Sequence, residues 1–377
     1  MTKLVFFALS FILTVSAQAE NCILSQYYDN RISGMEDIKL MDFHKTLAVN
    51  RPYRKDGGVL IFDITDIENI ELKDELKTKS YFSEKKSKNK KKIGFIKSDH
   101  YRDVSYIYVD NDKAATTAIE KISENSLIAT FGGPHVTGAA SIYKQNSDGV
   151  FKLSAVCHDE LAVSLGIKSY KDKIYIINDR GEIVVLKYEN HKCEKVAKLK
   201  DIRTEKSGSF VVSNNQVYLS STLSHQGIKG LDRESYKILK NRIKDYKKMK
   251  GLNLWLKNDM LYVLIAHGIK RVPVIWTVSL KNPENPRILD YFIIDKYKHV
   301  KHGVIDESNI LWLTMRNEGK IVGIDINYPM NIVVERKLDK GISGILSTQN
   351  YLFVSNSVKP KLTVFDKPCI KNMSAKI

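Results

Sequence analysis

Past its first 20 residues the chain has no apolar run approaching the roughly 20 residues a membrane-spanning helix requires. It carries only 4 cysteines in 377 residues. It also lacks a glycine-rich phosphate loop, a G-x-S-x-G nucleophile elbow and a C-x-x-C metal knuckle. A spanning helix is therefore not expected, and no local motif announces phosphate, acyl or zinc chemistry. A Ser/His/Asp triad assembled from distant segments stays open.

Acids are the minority charge, with 43 Asp and Glu against 60 Lys and Arg and a net charge of +17. The lysines are unevenly spread. "KSYFSEKKSKNKKKIGF" (79–95) is nearly all charged or small polar residues, so it cannot pack and reads as a solvated basic insert. In "SYKILKNRIKDYKKMKG" (235–251), Ile238, Leu239, Ile243 and Tyr246 recur near helical spacing between lysines, predicting an inserted amphipathic helix. Such basic surfaces suit contact with an anionic lipid, glycan or cell-wall surface. The aromatic residues fall in strand-like runs and form no stacking platform, so nucleic acid is not an expected partner despite the charge.

The opening "MTKLVFFALSFILTVSAQAE" joins one basic residue, an apolar run and Ala17 and Ala19 in an A-x-A pattern. That is the pattern of a secretory signal peptide cut after Ala19, which predicts a secreted or periplasmic protein spanning 20–377 as one domain. No lipobox precedes Cys22. All four cysteines lie beyond the cleavage point, and an even number in an exported chain favours disulfides. Three connectivities are possible. First with last, Cys22–Cys369, and Cys157–Cys193 around one strand cluster is the expected pairing.

Outside the inserts, runs of Val, Ile, Leu and Tyr alternate with polar turns. The clusters begin near residues 38, 104, 161, 208, 252, 303 and 343. Seven copies of a three- or four-strand unit at roughly 40-residue spacing predict an all-β fold, a β-propeller of seven blades, with six the alternative. Each unit would lean on its neighbours, and the N- and C-terminal segments would close the ring.

Residues just ahead of each unit's first strand would converge on the axis of such a ring. They are Glu36-Asp37, Arg102-Asp103, His158-Asp159, Ser207-Gly208, Lys250-Gly251, Lys301-His302 and Ile342-Ser343. Acids gathered there repel one another unless a cation joins them. Either a hard cation such as calcium sits among them, or the arginine and lysines neutralise them directly.

The stretches "NC…GMEDIKL…GGVLIFDI", "HDELAVSLGIKSYKDKIYIINDRG" and "STQNYLFVSNSVKPKLTVFDKPC" resemble the serum paraoxonase/arylesterase family. The resemblance implies a secreted six-bladed propeller, a disulfide joining first and last segments, two tunnel calcium ions, and hydrolysis of esters and lactones. It makes Glu36 a ligand of the catalytic calcium, and Asp37 and Asp159 ligands of the structural one. His158, Lys250, Lys301 and His302 depart from the family's ligand residues, and Arg102 and Asp103 stand where it has His-Gly. A lysine ammonium only donates and repels calcium.

Two functions follow. In the first, Glu36 with His158 or His302 holds a metal that polarises an ester or lactone carbonyl, while His100 or His135 acts as base. In the second, the propeller is a binding module. Arg102, Lys250 and Lys301 then answer the acids, among them Asp103, and the mouth takes an anionic or carbohydrate ligand.

Overall fold

Short apolar runs separated by polar turns form strands throughout the computed structural model. It describes residues 22–30, 34–41, 45–52, 58–77, 115–133, 136–161, 164–178, 182–199, 209–213, 216–220, 228–232, 238–242, 250–267, 272–282, 286–297 and 300–374. Strand β1 is Ile23–Tyr28. β2 (Ile38–Met41), β3 (Thr46–Arg51), β4 (Gly58–Asp63) and β5 (Glu71–Lys77) form the next sheet in chain order. β6 (Ala115–Ser123), β7 (Ser126–Gly133), β8 (Val136–Gln145) and β9 (Phe151–Leu161) follow in the same way. So do β10 (Ser164–Tyr170), β11 (Lys173–Asn178), β12 (Ile183–Glu189) and β13 (Lys192–Leu199).

The pattern continues through β14 (Phe210–Val212), β15 (Gln216–Ser220), β16 (Ile228–Asp232) and β17 (Ile238–Arg242). β18 (Lys250–Lys257), β19 (Met260–His267), β20 (Val272–Ser279) and β21 (Arg287–Ile293) make another sheet. So do β22 (Val300–Ile305), β23 (Ile310–Met315), β24 (Lys320–Asp325) and β25 (Asn331–Lys337). The last sheet runs β26 (Ile342–Ser347), β27 (Tyr351–Asn356), β28 (Lys361–Asp366) and then β1, so the first strand completes the final unit. The described residues thus form seven four-stranded antiparallel sheets. Helix α1 (Lys367–Ser374) follows β28.

The strands explain their own burial. The two central strands of a sheet are covered on both faces and read as continuous apolar runs; β23, "ILWLTM", is buried at every position. The last strand of a sheet has one face in solvent, and β21 alternates exposed and half-buried residues along its length.

The chain divides into two compact units. One comprises Met1–Ile38, Asp63–Glu71 and His299–Ile377, and the other Lys39–Phe62 and Leu72–Lys298. In the first, Trp312, Ile321, Val334, Leu352, Val354 and Phe365 pack with Cys22 and Ile370. Each large side chain buried there contributes roughly 1.5–3 kcal/mol. The second has several such clusters, one of them built on Leu254, Leu261, Val263 and Val278.

Both disulfides have the expected pairing, Cys22–Cys369 and Cys157–Cys193. The first ties the start of β1 to α1. Asp366 caps that helix, its carboxylate accepting the Cys369 N–H at 3.0 Å.

Three expectations change. The segment expected to be an amphipathic helix holds β17 at Ile238–Arg242, the last strand of its sheet. Lysines between apolar residues serve a sheet edge as well as a helix face, because they discourage pairing with another chain. The C-terminal helix α1 has no counterpart in the sequence pattern, which places helical periodicity only in the inserts. His158 and Asp159 are not loop residues opening a strand; they belong to the end of β9. The insert at 79–95 lies outside the described residues.

Candidate functional site

The site begins with a backbone irregularity that recurs near the start of the first strand in several sheets. In β22 the register passes from Val300↔Met315 to Gly303↔Leu313, so Lys301 and His302 together oppose Thr314. In β26 it passes from Ile342↔Asn356 to Ile345↔Val354, so Ser343 and Gly344 oppose Ser355. β6, β10 and β18 each carry a comparable extra residue. A bulge takes backbone groups out of the ladder and re-aims side chains. The hydroxyl across from it makes good the loss. Thr314 Oγ1 accepts the His302 N–H at 3.1 Å and donates to the Ser343 carbonyl at 2.6 Å, joining β22 and β23 to β26. Ser355 Oγ accepts the Gly344 N–H at 2.9 Å.

The segment ahead of β2 lies on this framework. Met35 N donates to Asn356 O at 2.8 Å, and Ser355 donates its hydroxyl to the Glu36 carbonyl. The approach is so close that a Cβ on Gly344 would overlap the Glu36 carbonyl oxygen, and one on Gly34 would overlap that of Ser357. Glycine is required at both places because backbone meets backbone. With its main chain held, Glu36 presents its carboxylate to Lys301, whose Nζ lies 3.7 Å from Oε1. The side chains are 24 % and 33 % exposed, so the pair remains open to solvent. Asp37 turns back on its own strand, its Oδ1 accepting the Ile38 N–H at 3.0 Å. Ser343 is fully buried.

Of the residues selected from sequence, Glu36, Lys301 and the backbone of His302 come together on this framework. His100, Arg102, Asp103 and His135 lie outside the described residues. For His158, Asp159 and Lys250 only the backbone is described, the first two in β9 and the third at the start of β18. No group of three or more His, Cys, Asp or Glu suited to a metal occurs among the described residues.

Sequence reading missed the residues that build the platform. Their signal is a hydroxyl inside an otherwise apolar second strand, as in "LWLTM" and "LFVSN". It also missed a serine–histidine pair drawn from segments 37 residues apart. Ser154 Oγ stands 2.6 Å from His191 Nδ1 and 2.7 Å from the Tyr188 hydroxyl, close to the Cys157–Cys193 bridge.

A second charged cluster is structural. Asp306 is buried below Trp312, whose indole N–H donates to Oδ2 at 3.0 Å, while the Ile310 N–H donates to Oδ1 at 2.9 Å. From α1, Lys371 Nζ and Lys367 Nζ approach Oδ2 at 3.3 and 3.5 Å. Burial opposes the charge on Asp306. The Trp312 and Ile310 hydrogen bonds and the two ammonium groups outweigh it and leave the pKa below its ordinary value. At Lys367 the balance is reversed, and burial pulls the ammonium below its usual range despite Asp306.

No family model matches the chain, and no curated protein matches its sequence. Solved structures do match. The β-propeller domain of Cps50 (Swd1) from Myceliophteria thermophila superposes with a TM-score of 0.63 at 11% identity, covering 90% of this chain and 99% of that one. The computationally designed protein Ika8 gives 0.57 at 11% identity, covering 92% and 99%. At such identity the likeness establishes the fold alone. The chain is a β-propeller.

Proposed function

We propose that this chain is an exported, non-catalytic binding propeller, in which Glu36 and Lys301 recognise an anionic or carbohydrate ligand. The observation that carries the reading is the 3.7 Å approach of the Lys301 ammonium to the Glu36 carboxylate. Calcium needs six to eight oxygen ligands, and a positive charge beside a would-be ligand opposes it. The Lys301 ammonium beside Glu36 therefore weighs against the catalytic calcium that the arylesterase resemblance implies there. The seven four-stranded sheets also differ from the six blades of that resemblance, which weakens residue-by-residue transfer to later blades.

The same pair suits recognition. A partly exposed carboxylate accepts ligand hydroxyls, and the neighbouring ammonium donates to a ligand carboxylate, phosphate or hydroxyl. Two disulfides fit an oxidising compartment, in keeping with export.

Elemental analysis of the purified protein, followed by calorimetric titration with neutral and acidic sugars, tests the reading. Binding lost in Lys301→Met, without stoichiometric calcium, is expected. Stoichiometric calcium together with arylester or lactone turnover abolished by a chelator would overturn it in favour of the metal-dependent hydrolase.

A further inference from the structure

Among the outermost strands whose side chains are described, β21 has an unusual surface. β5, β13, β17 and β25 each carry two or more basic residues, which guard a sheet edge against pairing. Among their described side chains, β1, β9 and β13 each expose one large apolar group, Tyr28, Leu153 and Val196 respectively. On β21, Leu289, Tyr291 and Ile293 are 61%, 62% and 50% exposed. With period two they form one row, flanked by exposed Arg287 at one end and exposed Asp295 just beyond the other.

With Asp295 in the turn that follows the strand, the order is Arg, Leu, Tyr, Ile, Asp. It is complementary to itself when reversed. We propose that β21 is a homodimer edge, pairing antiparallel with β21 of a second copy about a two-fold axis through Tyr291. In that register Tyr291 faces its own counterpart, Leu289 faces Ile293, and Arg287 faces Asp295. Each unlike pair occurs twice, as a two-fold interface requires. The opposite charges meet at both ends and the apolar residues meet between them, so the charge pattern selects a second copy over an unrelated strand.

A shift of register by two residues in either direction removes the Arg287–Asp295 match. The backbone limits the contact. β21 has an irregularity against β20 between Thr277 and Val278, opposite the position of Leu289. Regular pairing is therefore confined to the stretch centred on Tyr291, with Arg287 and Asp295 meeting only through their side chains at its ends, and the dimer is reversible and concentration-dependent.

Sedimentation velocity of the purified full chain over a wide concentration series tests this, with circular dichroism to verify folding. A monomer–dimer equilibrium is expected. Tyr291→Lys sets like charges against each other on the axis and should leave only monomer. Arg287→Asp should weaken the dimer roughly two- to thirtyfold, and the double exchange Arg287→Asp with Asp295→Arg should restore it. Monomer at every concentration overturns the proposal, as does a dimer indifferent to Tyr291→Lys. If Tyr291→Lys does not fold, the charge exchange decides: failure of the double variant to recover dimerisation overturns it.

Discussion

Ser355 donates its hydroxyl to the carbonyl oxygen of Glu36, a residue 319 positions earlier. Ser355 Oγ in turn accepts the Gly344 N–H at 2.9 Å, so one side chain serves a bulge in β26 and anchors the segment that carries the candidate ligand-binding carboxylate. Ser355→Ala leaves two backbone groups without that partner in a buried place. Urea denaturation should register a loss of about 1–3 kcal/mol. Gly344→Ala keeps the hydroxyl but drives a methyl group into the Glu36 carbonyl. It should cost at least as much and should weaken ligand binding by displacing Glu36.

Glu36 and Lys301 should matter little to folding. Their side chains are a quarter to a third exposed, which puts solvent between the charges much of the time. A double-mutant cycle with Glu36→Gln and Lys301→Met should give a stability coupling below about 1 kcal/mol. Both single variants should nevertheless lose affinity for the ligand identified by titration. A coupling of several kcal/mol with unchanged affinity would mark the pair as structural.

Asp306 should have the opposite character. Its folded pKa lies below the ordinary 3.8, so the folded state holds its proton less tightly than the unfolded state does. The resulting stabilisation is present well above pH 3.8 and is lost as pH falls below that value and through the lower folded pKa. Lys367 titrates lower in the fold than its ordinary 10.5, so stability contributed through it rises with pH between the folded value and 10.5. Asp306→Asn leaves the 4%-exposed Lys367 side chain without its carboxylate. The variant should lose about 3–5 kcal/mol at neutral pH and lack that part of the acid limb, measured by denaturation across pH.

How much of this was legible follows from what each signal reports. Repeated runs such as "KIYIIN" and "YLFVSN", bounded by polar turns, announced the strands because period and turn chemistry are local. Glu36 stood out as an acid ahead of such a run. Its partner Ser355 did not, since nothing local distinguishes a serine that bridges to a distant carbonyl from one that faces solvent. Ile238 and Leu239 read as helical because apolar residues among lysines fit both periods over a short window; backbone pairing with β16, with Ile238 opposite Leu231, decides for strand, and the segment itself does not encode that pairing. His158 and Asp159 read as residues ahead of a strand because the apolar run after them is so marked. β9 is 11 residues long and runs through them.

The two disulfides should contribute unequally. Cys22–Cys369 closes 347 positions, and Cys157–Cys193 closes 36. Loop-closure entropy grows with the logarithm of that separation, giving upper figures of about 6 and about 4 kcal/mol. The long bridge also holds β1 against the sheet of β26–β28 through its attachment to α1, whose Ile370 packs with Cys22 and Trp312. The short one links β9 to β13, which the Ser154, Tyr188 and His191 contacts also join. Cys369→Ser paired with Cys22→Ser should therefore lower the unfolding midpoint more than Cys193→Ser paired with Cys157→Ser. Thermal unfolding of the two double variants, each compared with the parent under oxidising conditions, gives the order. The reverse order would mean that the terminal bridge closes a loop whose ends are already held together by β1 and β28, and that its entropy advantage is spent before the thiols join.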